Sequence, residues 1–148
     1  MTVRTALLDP AVGQAMSSLS AVAKRGLGDA ALAELVVIRA SQLNHCAFCL
    51  DMHLTIARKH GVSEKQLDLL AGWEEAEDVF DERERAALAL TEAVTVLTDG
   101  FVPDEVYERA AAHFDDVRLA HLIGLIVAIN NWNRVMVGRR IPPGGYTP

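Results

Sequence analysis

The sequence predicts an all-α fold, a bundle of six or seven helices, and three observations point there. No stretch alternates apolar and polar residues with the period of two that a half-buried strand requires. Residues suited to capping a helix N-terminus recur at Asp9, Asp29, Ser63, Asp81 and Asp115, ahead of apolar-periodic runs. Glycines stand where several of those runs stop, at Gly28, Gly61 and Gly138.

Taken in order, Asp9-Pro10 reads as an N-cap followed by proline at the first helical position, where its missing N–H is harmless. That helix ends at Gly26 or Gly28. Asp29 caps a second helix carrying Leu32, Leu35, Val36 and Ile38, which runs to about Asn44. A third begins near Cys46 and Cys49 and reaches His60, with Gly61 beyond it. Ser63 and Gln66 have capping-box spacing and open a short fourth helix ending near Gly72. Asp81 opens a long alanine- and leucine-rich helix from about Glu82 to Leu97. Pro103 starts another, with Tyr107, Ala110 and Ala111 in register, before His113-Phe114. Asp115 opens the last helix, which reaches Val137 before Gly138. Residues 141–148, rich in proline and glycine, form an irregular tail. The expected organisation is a single domain over residues 1–148, with its core at about 30–135.

Composition narrows the function classes. With 51% apolar and 23% charged residues, the chain is globular rather than disordered. A net charge of -6 and no basic stripe beyond Arg139-Arg140 exclude a nucleic-acid partner. Residues 119–129 are apolar but include His121 and are too short to span a bilayer, so no membrane partner is expected. No long apolar segment follows the N-terminal charge, so no signal peptide is expected. Two cysteines with none left to pair elsewhere suit a reducing cytosol, and the expected location is cytoplasmic.

Those cysteines are the feature that points to chemistry. They lie within Asn44-His45-Cys46-Ala47-Phe48-Cys49-Leu50-Asp51-Met52-His53. A disulfide across so small a ring staples almost nothing, because loop-entropy stabilisation grows with loop length. Redox chemistry or metal binding remains. Thiolate is the reactive form, and the N–H groups of a helix starting near Cys46 bring partial positive charge to the sulfurs. His53 follows Cys49 by four residues, on the same helix face, where an imidazole can take the thiol proton or stabilise the thiolate. The bland alternative for His53 is a satisfied core histidine. Glu34, within a run of apolar residues, is either on a solvated face or buried with a partner. If the second and third helices pack antiparallel, it approaches His53. Ser41 lies on the Glu34 face, as a hydrogen-bonding lining residue or simply a small polar one. His45 adjoins Cys46 and either tunes its thiol or points to solvent; His60 reads as a cation favoured at a helix C-terminus. Asn130-Asn131-Trp132-Asn133-Arg134 opposes helical propensity and marks either a site or a network between subunits. Glu82-Arg83-Glu84-Arg85 reads as a solvated turn without function. A zinc site from Cys46, Cys49, His53 and a further histidine is disfavoured, since structural sites usually bring a second ligand pair from a separate loop. The thioredoxin scaffold is excluded, because no strand precedes the motif.

Glu34, eleven intervening residues and then Cys46-x-x-Cys49-x-x-x-His53 form a constellation more specific than the cysteine pair alone. With Arg39-x-Ser41, Asn44, Ala57, Gly61, Glu84-Arg85-Ala86-Ala87-Leu88 and Glu92-Ala93, the chain resembles the carboxymuconolactone decarboxylase superfamily in its alkylhydroperoxidase AhpD-like branch, over roughly residues 30–135. The resemblance implies an all-helical homo-oligomer, trimer or hexamer, acting as a thiol peroxidase on alkyl hydroperoxides or hydrogen peroxide. It implies Cys49 as attacking thiol, Cys46 as the resolving partner in an intramolecular disulfide, and Glu34 with His53 as proton relay. No bound cofactor is implied; an external dithiol or protein reductant closes the cycle. The residues themselves leave the order of the two sulfurs open, since Cys46 can also be the more exposed. Some AhpD-like enzymes carry histidine just before the second cysteine, where this chain has Phe48; His45 would partly substitute. The alternative use of the same disulfide is a non-catalytic redox sensor or oligomeric interaction switch. The decarboxylase namesake leaves both cysteines unexplained.

Overall fold

A computed structural model describes residues 2–4 and 9–144, and within them seven α-helices and no strand. They are α1 (Pro10–Leu27), α2 (Ala30–Leu43), α3 (Ala47–Lys59), α4 (Glu64–Leu69), α5 (Glu82–Thr95), α6 (Asp104–Ala111) and α7 (Asp116–Arg139). The caps predicted from sequence hold five of these starts. Asp9 accepts from the N–H groups of Ala11 and Val12, Asp29 from Leu32, Ser63 from Gln66, Asp81 from Glu84 and Asp115 from Arg118. Gly28 ends α1 in the left-handed region at φ 71°, which only glycine adopts without strain.

Some details differ from expectation. Ser63 accepts from the Gln66 N–H, but the Gln66 side chain turns instead to Val79 O and Glu84 Oε2, so that box is half formed. The complete capping box is at Asp81 and Glu84. Helix α4 runs directly into a 3-10 segment, Leu70–Glu75, kinked at Gly72. Helix α5 stops at Thr95, and α7 continues through Gly138 to Arg139, with Arg140 supplying the left-handed cap. The Glu82–Arg85 turn is not merely solvated. Arg83 pairs with Asp29 at 2.7 Å and lies over the Phe114 ring, while Arg85 lies over Trp73 and donates to its carbonyl. Residues 141–144 have no regular structure, and the rest of the expected tail, 145–148, lies outside the described residues.

Helix α2 is the centre of the molecule. It packs against α3, α5 and α7, while α1 runs along α7. Every residue from Leu32 to Ile38 is buried, so α2 shows no polar stripe; a helix surrounded on all sides has none. Val36 and Val37 join one apolar cluster with Leu27, Leu90, Leu122 and Ile126. Leu35 and Ile38 join a second with Leu70, Trp73 and Leu88. Full burial of each large aliphatic side chain contributes about 1.5–3 kcal/mol, which fixes α2 in rotation and depth. That placement carries Glu34 inward with its apolar neighbours.

Candidate active site

Three consecutive helices build the site. Cys46 is the N-cap of α3 and is disulfide-bonded to Cys49, three residues on. Its sulfur accepts from the Cys49 N–H at 3.4 Å, so the sulfur caps the positive end of the helix. The Cys46 N–H donates to Ser41 O at 3.0 Å, and Glu34 meets His53 further along; the contacts run in opposite senses, so α2 and α3 are antiparallel. His45 makes the reversal between them at φ 53°, and its side chain is exposed. His60, at the C-cap of α3, is also exposed.

The buried polar centre is Glu34, only 1% exposed. Oε2 lies 2.8 Å from His53 Nδ1, and Oε1 accepts from Lys24 Nζ at 2.7 Å. Burial pushes the Glu34 carboxyl up, but the hydrogen bond and charge of His53, with those of Lys24, outweigh it and hold the group below the ordinary glutamate value. An ionised carboxylate only accepts, so His53 Nδ1 carries the hydrogen and, in the neutral ring, Nε2 keeps its lone pair. Of the two sequence-level alternatives for Glu34, the solvated face is therefore excluded. His53 is buried as well, but against a carboxylate.

Cys49, His53 and Lys24 line a cavity of about 520 Å³. Its remaining wall is largely apolar: Val37, Phe48, Met52, Ile56, Leu125, Ile129, Trp132 and Met136, with Ser17, Ser20 and Ala21 from α1. Cys46 is not among the lining residues, so of the two sulfurs Cys49 faces this space. Phe48 contributes an aromatic wall to this space.

Ser41 is fully buried behind the cysteines rather than on the cavity. Its hydroxyl donates to Val37 O at 2.7 Å and accepts from Asn133 Nδ2 at 3.0 Å. Asn44 Nδ2 donates to both Asn130 Oδ1 and Asn133 Oδ1 at 2.9 Å, while Asn130 Nδ2 reaches Thr95 Oγ1 and Arg134 Nη1 donates to Asn130 Oδ1. The asparagine run thus forms a network within one chain, tying the end of α2 to α7 and fixing the turn that delivers Cys46. Among the described residues, no three His, Cys, Asp or Glu side chains converge as metal ligands. Sequence reasoning missed Lys24. In the last turn of α1 it reads as an ordinary dipole-favoured cation, and its approach to Glu34 exists only because the chain reverses at Gly28.

Residues 10–93 match the profile of the carboxymuconolactone decarboxylase family. The chain belongs to this family. Within it, YdfG of Bacillus subtilis (strain 168), an uncharacterized protein, is 43% identical over 104 residues, 70% of each chain. YnjA of Escherichia coli (strain K12), also uncharacterized, is 36% identical over 123 residues, covering 82% of this chain and 66% of YnjA. The crystal structure of ATU0492 from Agrobacterium tumefaciens, a protein of unknown function bearing the antioxidant-defence name AhpD, superposes with a TM-score of 0.91 at 33% identity, over 98% of this chain and all of that one. A peroxidase-related protein from Silicibacter sp. TM1040 shares the fold, with a TM-score of 0.73 at 19% identity over 89% of this chain and 70% of its own. This carboxymuconolactone decarboxylase family member is therefore of the AhpD-like branch, all-helical and carrying a vicinal cysteine pair. No helix among the described residues is long and apolar enough to cross a membrane.

Proposed function

We propose that this family member is a thiol peroxidase that reduces alkyl hydroperoxides or hydrogen peroxide through a Cys46/Cys49 dithiol–disulfide cycle. The observation that carries the reading is the Glu34–His53 pair, joined at 2.8 Å one helical turn beyond a disulfide sulfur that faces a cavity. Cys49 gives up its proton to His53 and, as thiolate, attacks the terminal peroxide oxygen. The O–O bond breaks, the departing alkoxide takes the proton back from His53, and Cys49 becomes a sulfenic acid. Cys46 then attacks the Cys49 sulfur; the S–S bond forms and hydroxide leaves, protonated to water. An external dithiol or protein reductant supplies two electrons and two protons to restore both thiols. Cys46 is suited to the resolving role because its sulfur caps the α3 N-terminus, where a thiolate is favoured.

The name borne by the ATU0492 structure supports an antioxidant role, as does the apolar cavity wall for an organic peroxide. The reading extends to work in a reducing cytosol as a homo-oligomer, trimer or hexamer. Peroxide consumption by purified protein with a dithiol reductant tests it. Cys49→Ser abolishes turnover, and Cys46→Ser reacts with peroxide without forming the intramolecular disulfide. Full consumption by Cys49→Ser refutes the peroxidase assignment, and oxidation to the disulfide without turnover assigns the pair to a switch instead.

A further inference from the structure

We propose that Lys24 is a positioning residue of this site: by binding one oxygen of Glu34, it supplies the positive charge that lets His53 act as a neutral base toward Cys49. The purpose of that base rests on the peroxidase reading; the geometry does not.

Three side chains from three helices form the chain Lys24–Glu34–His53. The two carboxylate oxygens are divided between the partners, one to an ammonium and one to an imidazole. A buried carboxylate needs a compensating charge. Were His53 its sole partner, the imidazolium would be that charge, and the ring would have no lone pair for a thiol proton. With Lys24 present, the three groups sum to zero while His53 is neutral. Passing a proton from Cys49 to His53 then changes no net charge within the site.

Lys24 is built for this position. Its side chain is 34% exposed, so the ammonium keeps water on its free side, while its partner carboxylate is 2% exposed. Among the described residues lining the cavity, it is the one lysine or arginine. Among the described residues, the charges that act on the carboxylate are those of His53 and Lys24. The α7 residues on the cavity, Leu125, Ile129, Trp132 and Met136, do not titrate. From α5, Arg83 is engaged by Asp29 and Glu92 by Arg39; on α3, Asp51 is exposed and accepts from the Gly144 N–H.

The test uses full-length protein in a Cys46→Ser background, where Cys49 is the one thiol, and follows its alkylation by iodoacetamide across pH. On this proposal, removing Lys24 leaves the His53 imidazolium as the counter-charge to Glu34, one helical turn from Cys49, and an adjacent cation lowers the pH at which a thiolate forms. Lys24→Met and Lys24→Gln are expected to move the midpoint down by about one pH unit, on the order of ten-fold faster alkylation at a fixed pH below it. Lys24→Arg is expected to keep the parent profile. Gln retains a hydrogen-bond donor without the charge, so it separates the two effects and serves if the Met variant does not fold. Neutral variants that fold and overlay the parent curve, or move it up, overturn the proposal, as does an Arg variant shifted as far as Met. Alkylation needs no peroxide: a profile shifted down in a protein without peroxide turnover supports Lys24 and removes the peroxidase reading, whereas turnover with an unshifted profile does the reverse.

Discussion

Glu34→Gln is the substitution that interrogates the site most directly, because it removes one charge and almost no volume. The wild-type carboxylate is buried and accepts charge-assisted hydrogen bonds from His53 at 2.8 Å and Lys24 at 2.7 Å. Each such bond is worth about 1.5–3 kcal/mol where it is buried. The Lys24 contribution is discounted because that side chain is one-third open to solvent, and the glutamine oxygen keeps a neutral bond to one partner. The net destabilisation is then about 2 kcal/mol at neutral pH, or roughly 4–8 °C in melting temperature for a chain of this size. Its pH dependence has a definite sign. Glu34 sits below the ordinary glutamate value in the folded state, so the unfolded chain takes up the proton first as pH falls. The wild-type advantage is full above the ordinary glutamate value and is lost as pH falls through the depressed folded value. Urea unfolding of both proteins from neutral pH downward measures this gap. A gap that stays constant or widens on acidification refutes the charge pairing at Glu34. Peroxide turnover, on the proposed mechanism, falls about 10²-fold in the same variant, since the imidazole loses its orienting anion.

Two other substitutions probe how the site is held. Asn133→Ala removes a fully buried amide that serves Ser41 and Asn44, and is expected to lower stability by about 2–3 kcal/mol in chemical denaturation; a change within error would show the network to be dispensable. Gly26→Ala places a Cβ inside the His121 ring where α1 crosses α7, and is expected to lower the melting temperature despite alanine's better helix propensity. The double variant with His121→Ala should recover most of that loss, and a stabilised Gly26→Ala would contradict the close approach.

Helix starts were the most legible part of the fold, because a cap is a local bond between a side chain and an N–H two or three residues on. Asp29, Asp81 and Asp115 cap where the sequence predicts. Helix ends were less so: Gly138 is a plausible stop, yet α7 continues past it because Arg140 takes the left-handed position itself. Gln66 has capping-box spacing, but a neighbouring helix offers its amide better partners in Val79 and Glu84.

The same division runs through the site. Cys46, Cys49 and His53 belong to one helix and its cap, so spacing alone sets the sulfurs beside a helix N-terminus with an imidazole one turn away. Whether Glu34 faced water or the interior was undecidable from periodicity, since α2 is buried on every side and has no polar stripe to read. Packing against α3, α5 and α7 turned it inward, and the reversal at Gly28 brought Lys24 to its second oxygen. The asparagines of α7 likewise found Asn44 and Ser41 only through folding. Local bonds and a 3.6-residue period are written in the chain, so the helices and the dithiol could be read from it; a charge is buried or exposed only by what other helices place around it, and that the tertiary structure alone decided.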